Sequence, residues 1–450
     1  MFNLVIQGSY FTINPNDYQK INFIQNALIV IDHSGKIDRI LQPNDKDYSL
    51  IKQQAKNKDL LITLNNDQFI LPGFIDLHIH AAQWPQIGTA LDRPLQQWLN
   101  DYTFPLEASF SDLDLAKNTY QDLVHTLLSY GTTTAVMFGT VNNEPNQILA
   151  KQCIQQGLRA FIGKVVMDNP DQCPQYYRDE NISTAINQTK QFIEFTDELN
   201  SNNAIKITPV ITPRFIPSCT IECLKVLGDL ASKNNLPIQT HLSESNWEND
   251  YALSTYNQPD THILQAANLL NDRTILAHAT QLKSSDYNIL KDKHSSIAHC
   301  PISNIYFGNA VLPVKKLLNN GNQVGLGTDI SGGYSPSLYR NLQQAVMSSR
   351  LLNDGVNNEI CAAKRGVPNS QITMNEAFYL ATAGGAKALK LPTGQIKPGY
   401  LADLQVVKLH TSAMLKSAND YLERLIYQTE QNDIQAVFVQ GQLVVNKINL

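Results

Sequence analysis

The sequence predicts an α/β protein: a (β/α)8 TIM barrel over residues 72–389, carrying a small β-sandwich domain built from residues 1–71 and 390–450. Three observations lead there. Both chain ends consist of short β-type runs broken by Gly, Asn and Asp, without long helices between them. The middle alternates strand-like with helix-like segments, the pattern of a parallel sheet with crossover helices. The polar residues of those strands gather at their C-terminal ends, the face on which such barrels carry their chemistry.

The opening runs are FNLVIQGSYFTI, ALIVIDHSGKIDRI and LLITLNNDQFILPG, and ADLQVVKL and IQAVFVQGQLVVNK repeat the style at the other end. One domain assembled from both ends unites them and leaves the middle as an insert. Within the insert the strand-like segments are FIDLHIH, TTTAVMF, RAFIGKVVM, AIKITPVIT, PIQTHLSE, TILAHAT, SSIAHC and QVGLGTD. Amphipathic stretches such as SDLDLAKNTYQDLVHTLLSYG and TIECLKVLGDLASKNN lie between them, each closed by Gly or Asn as helices are. A barrel of this kind takes roughly 250 residues, so several loops here are expected to be long.

The chain has 450 residues, 43% of them hydrophobic, enough for a large core and more than one domain. Its 35 basic and 40 acidic residues give a net charge of −5, with no Lys or Arg block to line a phosphate backbone. Nucleic acid is therefore not an expected partner, whereas a single nucleobase is compatible. No charged leader with an apolar core opens the chain, and no run of about 18 apolar residues occurs in it, so a cytoplasmic protein with no membrane partner is expected. Six cysteines are too sparse for a disulfide scaffold. Cys219 and Cys223 lack a second pair and read as ordinary thiols rather than a zinc knuckle. No G-x-S-x-G elbow and no G-x-G-x-x-G turn is present, which disfavours a serine nucleophile and a dinucleotide cofactor.

His78 and His80 lie one residue apart on a strand and so point to one side, either as two ligands of one ion or as hydrogen-bonded strand-end histidines. Adding His241 and Asp329 from other strand ends makes a mixed nitrogen and oxygen shell suited to zinc or iron(II). His278 is then a further ligand or a group that orients water, while His299 reads as a satisfied strand-end histidine. Lys164 and Lys206 are not at the far ends of their strands and read as flanking or snorkelling residues, which favours one metal over two. Glu244 follows His241 by three residues, an offset that lets its carboxylate reach activated water without replacing a ligand.

The runs PGFIDLHIH, THLSE, LAHAT, SIAHCPISN and GLGTDISGG together resemble the metal-dependent amidohydrolase superfamily, in its branch of mononuclear nucleobase deaminases. HIHAAQWP, PLQQWLNDYTFPLE, GTTTA, RAFIGKVVMD, TPRF, AHCPISN and GLGTDISGGYS are similar, in order and over roughly residues 70–390, to the guanine-specific members of that branch. The resemblance implies hydrolytic loss of guanine's 2-amino group, one zinc ion (or iron) on His78, His80, His241 and Asp329, and a homodimer. It makes Glu244 the proton shuttle, Asp329 an acceptor for the attacking water and His278 a group that polarises or positions that water. It puts Gln83 and Arg214 at the oxygen-bearing edge of the purine, with Phe215 beside them and Trp98 and Phe104 near the entrance. Each has a plainer alternative: a structural ion pair for Arg214, a loop hydrogen bond for Gln83, core packing for Trp98. Rival reactions on the same scaffold are deamination of another purine, a pyrimidine or a triazine-like ring, and hydrolysis of a cyclic amide.

Overall fold

The computed structural model describes residues 2–14, 17–410 and 414–448. Its strands are β1 (Phe2–Asn14), β2 (Asp17–Asp32), β3 (Ile37–Leu41), β4 (Leu61–Thr63), β5 (Gln68–Pro72), β6 (Phe74–His80), β7 (Thr132–Phe138), β8 (Arg159–Gly163) and β9 (Val165–Val166). They continue as β10 (Ile207–Pro209), β11 (Thr212–Pro213), β12 (Ile238–Leu242), β13 (Thr274–His278), β14 (Ser296–His299), β15 (Gln323–Leu326), β16 (Leu404–Lys408), β17 (Ile434–Val439) and β18 (Gln442–Asn446). The fold is mixed α/β, and the chain divides into two compact units.

The first unit takes in Met1–Ile75, Thr126–Thr134 and Thr373–Leu450. Strands from both chain ends share one eight-stranded sheet in the order β18-β17-β16-β5-β1-β2-β3, with β4 also paired to β1. The joint between the ends is the antiparallel ladder of β5 and β16, from Gln68↔Lys408 to Pro72↔Leu404. Alternation decides which residue faces where. Ile6, Ile29 and Ile31 pack with Ile70, Val406 and Phe438, whereas their neighbours Val5, Leu28 and Val30 pack with Tyr48 and Ala55 of the helix Tyr48–Lys56.

The second unit takes in Asp76–His125 and Ala135–Ile372. One sheet runs β10-β8-β7-β6 and a second, parallel throughout, runs β12-β13-β14-β15. β7 and β12 are buried at every position, as strands covered on both faces must be. Helices alternate with the strands: Leu113–Ser129, Asn143–Gln156, Ile182–Ser201, Ile221–Asn234, Asn246–Tyr256, Ser284–Asp292 and Val314–Asn320. Their ends follow local chemistry. Asn181, Thr220 and Ser245 cap the N-termini through their side chains, and Gly157 closes Asn143–Gln156 in the left-handed conformation at φ 88°. An isolated parallel bridge links Ile211 to Ile238, and Asp329 N–H donates to the His78 carbonyl at 2.8 Å. Among the described residues no helix is long and apolar enough to cross a membrane.

Candidate metal centre and active-site cavity

Every residue of the site belongs to the second unit. β6 ends on His78 and His80, β12 carries His241, β13 ends on His278, and Asp329 follows β15 by three residues. The end of β6 is tied to the segment after β15: His80 N–H donates to the Ile330 carbonyl at 2.8 Å, and Asp76 accepts from Thr328 through N–H at 2.9 Å and the hydroxyl at 2.5 Å. Burial pushes the Asp76 carboxyl up to about 7 against the pull of those bonds. Gly327 is needed where the two strands meet, because a Cβ there would come within 2.8 Å of the His78 Cβ and 3.0 Å of the Cys300 Sγ.

The donor atoms converge. His80 Nε2 lies 3.0 Å from His241 Nε2, and Asp329 Oδ1 lies 3.1 Å from His78 Nε2 and 3.6 Å from His80 Nε2. Ligands of a four-coordinate ion with bonds of about 2.0–2.1 Å stand about 3.3 Å apart, so His78, His80 and Asp329 are close enough to hold one divalent cation, with His241 beside His80. The protonation states fit as well. His241 Nδ1 is 2.5 Å from the Arg214 carbonyl, an acceptor only, so the proton sits on Nδ1 and Nε2 keeps its lone pair. Burial, then the neighbouring histidines, holds His78, His80 and His241 well below the usual imidazole range and therefore neutral. His78 Nε2 is buried without a hydrogen-bond partner among the described residues, an arrangement a metal ligand explains.

Glu244 and His278 stand beside this cluster. His278 Nε2 lies 3.7 Å from Glu244 Oε2 and 3.9 Å from Asp329 Oδ2, while its Nδ1 meets Asn304 Oδ1 at 2.9 Å. Burial, and after it the Asp329 charge, raises the Glu244 carboxyl well above its ordinary range, which suits a group that both takes and gives protons. Ser243 (φ 45°), His278 (φ 71°) and Asp329 (φ 51°) all occupy the left-handed region, unfavourable for residues with a Cβ. Such strain concentrated at three converging strand ends marks a functional site.

The cluster borders a small cavity lined by Gln83, Trp98, Arg214, Phe215, Glu244 and Asp329, among others. Arg214 makes a bidentate ion pair with Glu107, Nη1 to Oε2 at 2.6 Å and Nη2 to Oε1 at 3.0 Å, and its guanidinium lies 5.1 Å from the Phe104 ring centre. Gln83 Nε2 donates to the same Glu107 Oε1 at 2.8 Å. The Trp98 ring lies 5.1 Å from that of Phe307, tilted by 39°, and donates its indole N–H to the Thr89 carbonyl, so it both packs and lines the cavity.

Residues 69–444 match the Amidohydrolase family. The chain belongs to the amidohydrolase family. It is 34% identical to a guanine deaminase of Dictyostelium discoideum, over 96% of each chain. It is 37% identical to a probable guanine deaminase of Schizosaccharomyces pombe, over 94% of this chain and 79% of that one. A crystal structure of a guanine deaminase from C. acetobutylicum with bound guanine in the active site is 31% identical and superposes with a TM-score of 0.86, over 98% of this chain and 99% of that one.

In this amidohydrolase the fold brings together every residue singled out in the sequence for the metal, the proton and the substrate. Two expectations need correction. Lys164 does not snorkel: it is buried and paired with Asp179, and the strand read as RAFIGKVVM breaks there into β8 and β9. His299 is not satisfied, since its buried Nδ1 has no hydrogen-bond partner among the described residues and burial, then His278, holds it down to about 3. The Gln83 Oε1 accepts from the Ser331 N–H and hydroxyl, each at 3.2 Å. Sequence reasoning also passed over Asp76, Glu107 and Asn304. Each lay inside a quoted motif, but nothing in its spacing told which distant side chain it would hold.

Proposed function

We propose that the chain hydrolyses guanine to xanthine and ammonia, with one zinc ion held by His78, His80, His241 and Asp329. The observation that carries this is a cavity in which the donors of Arg214 and Gln83 share space with His80, His241, Asp329 and Glu244. The guanine deaminases similar to this chain over nearly its full length support the same substrate.

A divalent ion held by these residues would lower the pKa of water toward neutrality. Glu244 takes a proton from the attacking water and delivers it to ring N3 as oxygen bonds to C2. Glu244 then carries the remaining hydroxyl proton to the exocyclic nitrogen. The C2–N bond breaks, ammonia leaves and C2 keeps the oxygen as a carbonyl. Asp329 Oδ2 and His278 Nε2, 3.9 Å apart, hold the attacking water in line. Arg214 and the free amide hydrogen of Gln83 donate to the purine 6-oxygen. A 6-amino purine sets donor against donor, a mismatch that a buried polar site rejects strongly.

The strand and helix alternation supports a (β/α)8 barrel, with the Ile211–Ile238 bridge and the Asp329–His78 and His80–Ile330 backbone bonds as its seams. The sheet shared by both ends is read as one layer of a small β-sandwich. Family resemblance adds a cytoplasmic homodimer, which light scattering on the purified chain tests. The functional experiment is a product-resolved panel of guanine, adenine, cytosine and a triazine on folded, metal-loaded protein. Ammonia and xanthine from guanine are expected; neither product from guanine overturns the reading.

A further inference from the structure

We propose that Glu107 is the positioning residue that makes the substrate wall a donor-only surface and so sets its preference for a 6-oxo over a 6-amino purine. The inference rests on the guanine reading above. Glu107 lies in the helix Phe104–Ser109 and is 2% exposed. Its two oxygens accept from both terminal nitrogens of Arg214, and Oε1 accepts in addition from Gln83. Phe104, three residues earlier on that helix, lies against the same guanidinium. Ser331 occupies the Gln83 oxygen. One carboxylate thus fixes the plane of the guanidinium and the flip of the amide, and leaves only N–H groups of either residue for the cavity.

Glu107 also settles a competition. Glu244 and Asp329 line the same cavity as Arg214, and a mobile guanidinium there would seek them as counter-ions. A bidentate partner on the far side keeps Arg214 away from the carboxylates that hold metal and move protons. Gln at position 107 has one acceptor and one donor end, so it can neither grip both nitrogens of Arg214 nor hold the Gln83 amide in a single flip.

The test compares wild type with Glu107→Gln on guanine and on 2,6-diaminopurine, which keeps the leaving 2-amino group but carries an amino group at position 6. Displaced donors are expected to lower kcat/KM for guanine about 100-fold, and the preference for guanine is expected to narrow at least about 10-fold, because recognition of an oxygen edge is what has been lost. A purely structural Glu107 would lower both substrates together. A folded variant of equal metal content that keeps the wild-type preference overturns the proposal. If Glu107→Gln does not fold, Glu107→Asp on its shorter arm is read the same way. Equilibrium binding of the two purines to metal-loaded Glu244→Gln and to Glu244→Gln/Glu107→Gln protein reads the preference without turnover. A preference there that depends on Glu107, with no ammonia released by wild type, sinks the guanine reaction and not this role.

Discussion

The carbonyl oxygen of Arg214 accepts both the backbone N–H of His241, at 3.2 Å, and its ring Nδ1–H, at 2.5 Å. The residue proposed to face the substrate edge therefore fixes the tautomer and ring orientation of a proposed metal ligand through its main chain. Loss of such an outer partner typically costs a metal site about 10- to 100-fold in affinity or activity. The arrangement also explains why TPRF and THLSE, far apart in sequence, meet at one point: β11 ends at Pro213, and the next residue reaches β12.

Glu244→Gln keeps size and most of the local packing but cannot move protons. Turnover of guanine is expected to fall about 100- to 10,000-fold, the usual worth of a positioned acid–base group. Metal content measured by elemental analysis should stay at the wild-type level. Equal turnover by the two proteins would remove Glu244 from the proton path.

Gly327→Ala tests the packing under the ligands. The added methyl would meet the His78 Cβ at 2.8 Å and the Cys300 Sγ at 3.0 Å, neither of them the far end of a flexible side chain. His78 must move, so metal occupancy after dialysis and turnover should both drop, each by at least about 10-fold, the scale of a disturbed metal shell. Full occupancy in a folded variant would show that the strand gives way elsewhere.

Asp260 supplies a pH prediction. It accepts from the Ser243 N–H at 2.9 Å, and burial pushes its carboxyl from 3.8 up to about 6. Its folded pKa lies above its unfolded one, so its contribution to stability is fully present below about 4 and is lost as pH rises through about 6. Asp260→Asn keeps an acceptor for Ser243 and does not titrate. Between pH 4 and 6 the unfolding free energy of wild type should fall relative to that of the variant, and a constant difference would contradict it.

Much of the site was legible because strand-end histidines in alternating strands can only meet at one face. His78, His80, His241, His278 and Asp329 were singled out by their strand-end positions, and Glu244 by its offset. The pairing of Glu107 with Arg214 spans 107 residues and depends on how a loop helix folds over the cavity, so local pattern carried no sign of it. The break at Lys164 was hidden for the same reason. Its partner Asp179 sits in the following loop, and an apolar run reads as continuous until that pair is seen.

One ion in the proposed shell of His78, His80, His241 and Asp329 is expected to enable release of ammonia from guanine. The decisive experiment titrates zinc into chelator-stripped protein and follows ammonia at each addition. Activity should rise from near zero and level off at about one ion per chain, as expected for a single site with three imidazoles and one carboxylate. Full activity in the stripped protein, or no ammonia after one equivalent has bound, would contradict it.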